Sequence, residues 1–269
     1  MPLAVCATPI GNLDDVTLPV LRELADADVV LCEDTRHTRG LLARHGIEAR
    51  LLSYHEHNEA KRTAELLPRL GAGARIALVS DAGMPGISDP GARLVAAALD
   101  SGVPVTVLPG PSAVETALVA SGLSADRYLF VGFLPRAARA RENLWAELSG
   151  STDPVVAFES PRRLPAALAS LAGALPDRPV AVCRELTKRF EEVVRGTATE
   201  VAARFREPPK GEITVVIGGA MGALPKRLSG EAVEAVAELV AAGIARGQAA
   251  EVVARLTGVP RNKLYRESL

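Results

Sequence analysis

The residues best suited to chemistry lie in one loop, Ser80 to Gly91, which reads SDAGMPGISDPG. This loop directly follows an apolar run, and its glycines and prolines surround two carboxylates, Asp81 and Asp89. Glycine permits positive φ angles and close approach of the backbone, whereas proline stiffens the chain. The composition therefore predicts a loop that presses its backbone and a carboxylate against a small ligand.

Two similar turns stand where other predicted strands end. TPIGNL, Thr8 to Leu13, follows the first predicted strand, and PGPSA, Pro109 to Ala113, follows the fifth. In an open parallel sheet, ligands bind outside the carboxyl ends of the strands. We therefore expect the three loops to converge on one crevice.

The loops match no familiar nucleotide-binding pattern. The chain contains no GxxxxGK[ST] sequence, and TPIGNL lacks the glycine spacing of a dinucleotide fingerprint, which disfavours ATP and NAD. A serine or cysteine hydrolase is also disfavoured, because no G-x-S-x-G sequence is present. An adenosyl-type ligand, held by backbone groups and a few carboxylates, remains.

These loops belong to an alternation of short apolar runs and amphipathic helical patterns, which predicts parallel α/β architecture. The predicted strands cover Leu3 to Ala7, Val29 to Cys32, Leu51 to Tyr54, Ile76 to Val79, Val105 to Leu108, Leu129 to Phe133, Val155 to Phe158, Val180 to Cys183 and Ile213 to Ile217. The predicted helices cover Leu18 to Ala27, Thr38 to His45, Glu59 to Leu70, Ala92 to Ser101, Arg163 to Ala172 and Ala198 to Phe205. Asp89 with Pro90 predicts a helix N-cap followed by a first-turn proline, and Ser112 with Glu115 predicts a capping box.

Length and apolar content favour two α/β domains, because the chain has 269 residues of which 48% are hydrophobic. An arginine-rich stretch with little β-propensity begins at Leu134, and we place the domain boundary there. The predicted domains are residues 1–134, which carry the glycine and proline loops, and residues 135–222. A helical segment, residues 229–269, follows them.

The helical segment has the phrasing of a helix-turn-helix. Ser229 is the predicted N-cap of a helix from Gly230 to about Ala242, and Gln248 to Glu267 predicts two short helices joined through Gly258, Val259 and Pro260. From Arg246 onward there are five basic residues against two acidic ones. Both an RNA-binding role and a helical cap with ordinary solvated charges fit this pattern.

Charge and cysteine usage set outer limits on function. The formal net charge is −1, so any contact with a nucleic acid must be local. The three cysteines stand in separate apolar runs without disulfide or metal spacing, which indicates reduced core residues of a cytoplasmic protein. Because no apolar run approaches the ~20 residues of a membrane span, we expect no membrane partner.

Nine sequence blocks, in order, resemble those of the ribosomal RNA small-subunit methyltransferase I family in the tetrapyrrole-methylase superfamily. The blocks are TPIGNL, EDTRHT, HEHNE, SDAGMPGISDPG, PGPSA, GFLPR, FESPRR, RELTK and KGEI. The resemblance implies two α/β domains with S-adenosylmethionine in the cleft between them. It also implies 2′-O-methylation of a cytidine in the decoding centre of 16S rRNA, cytidine 1402 in the family, within the small ribosomal subunit. A homodimer is implied as well.

The resemblance also assigns residues to the cofactor. The implied contacts are Pro9, Ile10 and Gly11 in the first loop, Asp81, Ala82, Gly83, Met84 and Ile87 in the second, Ser112 and Ala113 in the third, and Phe158 in the second domain. In physical terms, a carboxylate accepts hydrogen bonds from ligand donors, while glycine backbone groups read polar edges.

Methyl transfer to a ribose oxygen needs positioning first and proton removal second, and it needs no metal. In EDTRHT, Glu33 and Asp34 are candidate bases, and Arg36 is a candidate phosphate contact. Lys188 in RELTK is a further candidate phosphate contact. Five arginines are candidate phosphate contacts or plain solvated charges: Arg136, Arg139, Arg141, Arg162 and Arg163.

The remaining candidates are histidines and aromatic residues. His37, His55 and His57 cluster in the sequence, but their spacing matches no standard zinc pattern, so we favour solvated loop histidines that contact RNA. Tyr54 and Phe133 are candidates for base stacking, although core packing is favoured for both. Methylation of a tetrapyrrole or a protein side chain on the same scaffold, or nucleic-acid binding without catalysis, are the alternative functions.

Overall fold

The computed structural model describes residues 2–123, 126–220, 226–257, 259 and 261–268. The chain divides into two compact units, residues 1–219 and residues 220–269. In the first unit, strands β1 to β10 cover Leu3–Cys6, Val29–Cys32, Leu51–Ser53, Ile76–Leu78, Val105–Leu108, Leu129–Phe133, Val155–Glu159, Pro179–Arg184, Glu192–Thr197 and Ile213–Ile217. Helices α1 to α8 cover Leu18–Asp26, Thr35–Arg44, Glu59–Gly71, Ala92–Asp100, Ala113–Ser121, Ala138–Leu148, Leu164–Ala174 and Ala198–Arg204.

The first sheet is parallel and has the strand order β3-β2-β4-β1-β5. Alternate residues of its strands enter two different cores: Val29 and Leu31 lie in one, Val30 and Cys32 in the other. A parallel sheet covered on both faces needs such continuous apolar runs. Because its strands point the same way, the loops that follow β1, β4 and β5 leave from one edge.

The second sheet is mixed, with the order β6-β7-β10-β8-β9. Strand β6 pairs with β7 in parallel, whereas β10 runs antiparallel to β7 and β8, and β9 runs antiparallel to β8. The expectation of parallel architecture throughout is therefore wrong for this sheet. Strand β9 was also not predicted, because it is a half-exposed edge strand in which Glu192 and Arg195 break the apolar pattern.

Strand β6 lies on the first-domain side of the predicted boundary but belongs to the second sheet. The sequence analysis grouped Leu129–Phe133 with the first domain, but this strand hydrogen-bonds to β7 of the second sheet. Helix α5 precedes it and already packs on the second sheet, where Val114 and Ala117 share a core with Val156. The chain therefore passes from the first sheet to the second between β5 and α5. Sequence periodicity reveals a strand but not its partner, which is why β6 was misplaced.

The second unit is helical. Helices α9 to α11 cover Lys226–Ala241, Arg246–Thr257 and Arg261–Glu267. Val236, Ala250 and Leu264 are buried in a common core. The two helices of the predicted helix-turn-helix are confirmed, while Gly258 and Pro260 of the turn lie outside the described residues. The N-cap prediction for Ser229 is wrong, because α9 begins at Lys226.

Two further expectations concern the chain as a whole. Cys6, Cys32 and Cys183 are free and buried, as their apolar surroundings predicted. Within the part of the chain that the structure describes, no helix is long and apolar enough to cross a bilayer.

Candidate active site

A cavity of about 510 Å³ lies where the loops of the first sheet meet the second sheet. From the first sheet it is lined by Ile10 after β1, by residues of the Ser80–Gly91 loop after β4, and by Ser112 before α5. From the second sheet it is lined by Phe158 at the end of β7 and by Cys183 of β8. The three loops therefore do converge on one crevice.

Most of the residues assigned to the cofactor line this cavity. They are Ile10, Asp81, Ala82, Gly83, Met84, Ile87, Ser112, Ala113 and Phe158. Pro9 is buried beside Ile10 and is not part of the lining. Gly11 packs instead against the backbone of Leu186, as a Cβ at this glycine would meet the Leu186 carbonyl oxygen at 2.6 Å.

Backbone hydrogen bonds tie the first and second loops together. Thr8 and Gly83 exchange two of them, at 2.9 and 3.1 Å, in an isolated antiparallel bridge. The Thr8 hydroxyl donates to the Ser80 carbonyl at 3.0 Å, and the Ser80 hydroxyl donates to the Gly83 carbonyl at 3.2 Å. Gly83 has a φ of +80°, which glycine adopts without strain. This bridge holds the backbone next to Asp81 in one conformation.

Carboxylates gather at the same loop. The Asp34 backbone N–H donates to Asp81 Oδ1 at 3.1 Å, which joins the loop after β2 to the loop after β4. Burial, and next the charges of Glu33 and Asp81, raise the pKa of Asp89 from 3.8 to about 6. Burial and the charge of Asp81 also raise the pKa of Glu33. The neighbouring negative charges create a site that favours a cation.

Asp89 is not a helix cap, so that prediction is wrong. Helix α4 begins at Ala92, and its N-cap is Gly91, whose φ of +139° is incompatible with a helical turn through Asp89 and Pro90. The side chain of Asp89 instead lines the cavity. Asp89, which the sequence pattern predicts as the start of a helix, thus contributes to the cavity lining instead.

The capping box at Ser112 is also absent, because its hydroxyl makes no cap hydrogen bond. Ser112 Oγ donates directly to the Glu115 carboxylate, and Tyr128 Oη donates to the other oxygen of Glu115 at 2.6 Å. Burial alone would raise the pKa of Glu115, but these two hydrogen bonds outweigh it and lower the pKa. All three residues line the cavity and form a fixed polar wall.

An aromatic wall formed by Phe130, Phe133 and Phe158 also lines the cavity. The sequence suggested roles for Phe133 and Phe158 but missed Phe130. Phe158 packs edge-to-face against Phe130 and Phe133, with ring centroids 5.1 and 5.6 Å apart. Phe133 is 57% exposed, so the preference for core packing is wrong there. Tyr54 is indeed buried, and its hydroxyl bonds to Thr63. Phe130 and Tyr128 stand beside GFLPR, which is the signal that could have found them.

The candidate catalytic residues lie outside the cavity lining. Asp34 is the N-cap of α2: it accepts from the Arg36 backbone N–H at 2.8 Å and forms an ion pair with the Arg36 guanidinium at 2.6 Å. The hydrogen bonds from Arg36 hold the pKa of Asp34 well below its ordinary value. Glu33 follows β2 and is largely exposed, so its carboxyl group is only partly desolvated. Arg36 keeps an 85% exposed side chain despite its ion pair.

Lys188 belongs to a tight turn after β8. Its ammonium group pairs with Glu185 at 3.0 Å and with Glu212 at 2.8 Å, so its charge is already compensated. Burial would lower the pKa of Lys188, but the hydrogen bonds to both carboxylates raise it. Glu185 and Thr187 have positive φ angles of 53° and 64°. Strain of this kind persists where the surroundings fix it, as the Asn12 N–H does by donating to Thr187 Oγ1 at 2.9 Å.

The three histidines that lie close together in the sequence have different surroundings in the structure. His55 Nε2 lies 3.1 Å from Asn58 Nδ2, His57 packs edge-on against His55, and His37 is exposed on α2. Among the described residues, no group of three or more histidine, cysteine, aspartate or glutamate side chains is arranged to hold a metal ion.

Comparison with known proteins decides the family. Residues 2–202 match the profile of the tetrapyrrole (corrin/porphyrin) methylases. The chain is 47% identical to the ribosomal RNA small subunit methyltransferase I of Mycobacterium bovis, over 98% of this chain and 93% of the relative. It is 44% identical to the protein of the same name from Micromonospora olivasterospora, over 98% of this chain and 85% of the relative. The chain belongs to the ribosomal RNA small subunit methyltransferase I family of tetrapyrrole methylases.

A solved member of the superfamily supports the fold of this methyltransferase. The uroporphyrin-III C-methyl transferase of Thermus thermophilus, determined in complex with S-adenyl homocysteine, superposes with a TM-score of 0.55 and 20% identity. The match covers 80% of this chain and 96% of that chain. The predicted α/β class of tetrapyrrole-methylase type is confirmed, and so is the methyltransferase's cofactor class, S-adenosylmethionine.

The cavity of this methyltransferase fits that cofactor. Its volume of about 510 Å³ lies within the range of small-molecule sites, about 300–1,000 Å³. Ile10, Met84 and Phe158 offer apolar surface for a flat purine, while Asp81 and Asp89 offer negative charge for a cationic group. The cavity lining therefore suits a ligand that joins an aromatic base to a sulfonium.

Proposed function

We propose that this protein methylates the ribose 2′-hydroxyl of a cytidine in the decoding centre of 16S rRNA, with S-adenosylmethionine as the methyl donor. The single observation that carries the proposal is the cavity itself: three loops of the first sheet meet an aromatic wall of the second. Its occurrence in a chain related over 98% of its length to ribosomal RNA methyltransferases supports an RNA substrate. When bound, the cofactor supplies an electrophilic methyl group on a sulfonium.

The loops supply binding and orientation. Asp81 accepts hydrogen bonds from donors in the cavity and is itself oriented by the Asp34 N–H. The bridged backbone at Thr8 and Gly83 keeps the first two loops at a fixed separation. Such preorganisation matters most in a displacement reaction, because the two reacting atoms must approach in line.

Of the two candidate bases, Glu33 fits proton removal better than Asp34. A base works best when its pKa lies near the operating pH, and burial and Asp81 raise the pKa of Glu33. The Arg36 hydrogen bonds lower the pKa of Asp34 and occupy its oxygens, which makes it a poor proton acceptor. Asp34 and Arg36 then act as a pair that orients the loop, with exposed Arg36 free to approach a phosphate.

Lys188 fits a positioning role. Its two carboxylate partners lie on the turn after β8 and at Glu212, which lines the cavity. The ion pairs tie the turn to Glu212, and a separate hydrogen bond from the Asn12 N–H to Thr187 Oγ1 joins the same turn to the first loop. The phosphate-binding role proposed from sequence would require Lys188 to leave these partners.

Further parts of the proposal follow from the family resemblance. We propose that the RNA is presented within the small ribosomal subunit, that the enzyme is a homodimer, and that it acts in the cytoplasm. Sedimentation of the purified protein gives its oligomeric state independently of any assay of activity.

The decisive experiment identifies the methylated atom. Small-subunit particles and free 16S rRNA from cells that lack this methyltransferase are incubated with the protein and S-adenosylmethionine carrying a deuterated methyl group. The RNA is then digested to nucleosides for mass spectrometry. We expect labelled 2′-O-methylcytidine; a label on a base, or no label in either RNA, would contradict the proposal. Parallel incubations with a porphyrinogen and with ribosomal proteins test the alternative substrates.

A further inference from the structure

A second cavity, of about 470 Å³, adjoins the first. It is lined by Phe133, Leu134, Pro135, Arg136, Ser160 and Arg163. Phe133 and Ser160 line both cavities, so they form a shared wall. Of the second cavity's residues, the sequence suggested base stacking for Phe133 and phosphate contacts for Arg136 and Arg163, but not that the three lie around one cavity. Its lining combines an aromatic ring with two guanidinium groups.

The aromatic ring is available for stacking. Phe133 is 57% exposed at the end of β6 and is held edge-on by Phe158, whose ring centroid lies 5.6 Å away. An aromatic side chain fixed on one edge and open to solvent suits an unpaired nucleobase, because every base presents a flat π face. Double-stranded RNA would not expose such a face.

The two arginines are held in different ways. Arg163 is anchored: its Nη2 pairs with the buried Glu159 at 2.5 Å, and its Nε donates to Ser160 Oγ at 3.3 Å. Its Nη1 has no hydrogen-bond partner among the described residues. Arg136 is exposed, and its guanidinium forms no ion pair within the described part of the chain. The backbone beneath it is fixed, because Arg141 donates to the carbonyl oxygens of Pro135 and Arg136 at 3.2 and 2.8 Å.

We propose that this second cavity holds the acceptor nucleotide of the RNA, with its base stacked on Phe133 and its phosphate held by Arg136 and Arg163. The inference rests on the proposed function and adds the place where RNA is bound. An anchored and an uncompensated guanidinium are complementary to a phosphate, and planar guanidinium groups bind phosphate oxygens well. The shared wall at Phe133 and Ser160 brings such a nucleotide to the edge of the cofactor cavity.

The test compares variants that separate RNA binding from cofactor binding. Arg136→Gln removes the uncompensated charge, and Phe133→Leu removes the stacking face while keeping an apolar side chain. Arg22→Gln is the matched control, because Arg22 is also an exposed arginine but lies on α1 and lines neither cavity. Arg163→Lys keeps a charge next to buried Glu159 but loses the planar guanidinium. Steady-state methylation of small-subunit particles and calorimetry with S-adenosylmethionine are the readouts.

We expect Arg136→Gln and Phe133→Leu each to lower kcat/KM for RNA by about tenfold or more, as loss of one phosphate or stacking contact does. For Arg136→Gln, the cofactor Kd stays within about twofold of wild type, a difference of less than about 0.5 kcal/mol in binding free energy. Phe133→Tyr retains near-wild-type activity. The salt dependence of RNA binding becomes shallower for Arg136→Gln by close to one released ion, about 0.7 in the slope for single-stranded RNA.

Three other outcomes would each contradict this inference, in whole or in part. If wild type methylates RNA but Arg136→Gln behaves like Arg22→Gln, the phosphate site is wrong and the proposed function stands. If Phe133→Leu weakens the cofactor and the RNA equally, Phe133 serves only the first cavity and the stacking role is refuted. If wild type methylates no RNA, the proposed function and this inference fail together.

Discussion

We propose that cofactor binding depends most directly on Asp81. It lines the cavity, and the Asp34 N–H fixes its orientation from the neighbouring loop. We predict that Asp81→Asn weakens S-adenosylmethionine binding by about 10- to 100-fold, because a hydrogen bond to a charged group contributes about 1.5–3 kcal/mol. Calorimetry measures the Kd. Asp100→Asn, an exposed carboxylate at the end of α4, is the control, and an unchanged Kd for Asp81→Asn would contradict the assignment.

Asp89 makes the stability of the protein depend on pH. Its pKa rises from 3.8 to about 6 on folding, so the folded state holds this proton more tightly than the unfolded state. The stabilisation is complete below about pH 4, falls as pH rises to about 6, and is lost above that. We therefore predict that Asp89→Asn unfolds at a higher urea concentration than wild type at pH 8. Its free energy of unfolding should be larger by about 1–2 kcal/mol after solvent screening, and this difference should shrink towards pH 4.

Urea titrations of both proteins between pH 4 and pH 8 check this prediction. Glu33 and Asp81, whose charges face Asp89, are present in both proteins, so the difference isolates Asp89. A difference in the free energy of unfolding that grows as pH falls would contradict the raised pKa.

The turn after β8 packs tightly against the loop after β1. A Cβ on Gly11 would lie 2.6 Å from the Leu186 carbonyl oxygen and 2.7 Å from Thr187 Oγ1. We predict that Gly11→Ala destabilises the protein by about 1–3 kcal/mol, because overpacking forces the backbone apart. It should also weaken S-adenosylmethionine binding, since Leu186 and Ile10 line the cavity.

Gly40→Ala is the matched control for this element. Gly40 lies inside α2, where a Cβ meets no atom within 4 Å. The change should stabilise the helix by about 0.5–1 kcal/mol. Urea unfolding of both variants is the measurement, and equal effects at the two glycines would refute the close packing at Gly11.

At the scale of elements, the sequence predicted local structure well and partners poorly. The apolar runs identified β1, β2 and β10 with little error, because strands buried on both faces carry continuous apolar residues. Strand β9 was not predicted because Glu192 and Arg195 interrupt its apolar pattern at the sheet edge. The loops of the cavity were predicted because glycine and proline mark them. Phe133 and Asp89 were misread because exposure depends on neighbours from distant parts of the chain.

For the whole molecule, the division into two compact units suggests a truncation experiment. Residues 220–269 contain their own core, with Val236, Ala250 and Leu264 buried, while Arg255 and Arg261 are exposed. We predict that a protein ending at Gly219 binds S-adenosylmethionine with an unchanged Kd but methylates RNA with a lower kcat/KM. A cut at residue 229, where the sequence placed the start of the helical segment, would fall inside α9. Full activity of the shortened protein would show that the helical unit serves only for packing.

We propose that one cavity, formed by loops of the first sheet and the aromatic wall of the second, holds the methyl donor. A crystal structure of the protein with S-adenosyl homocysteine tests this proposal. We expect the ligand in the cavity of about 510 Å³, in contact with Asp81, Gly83 and Phe158. A ligand bound elsewhere, with these residues untouched, would contradict it.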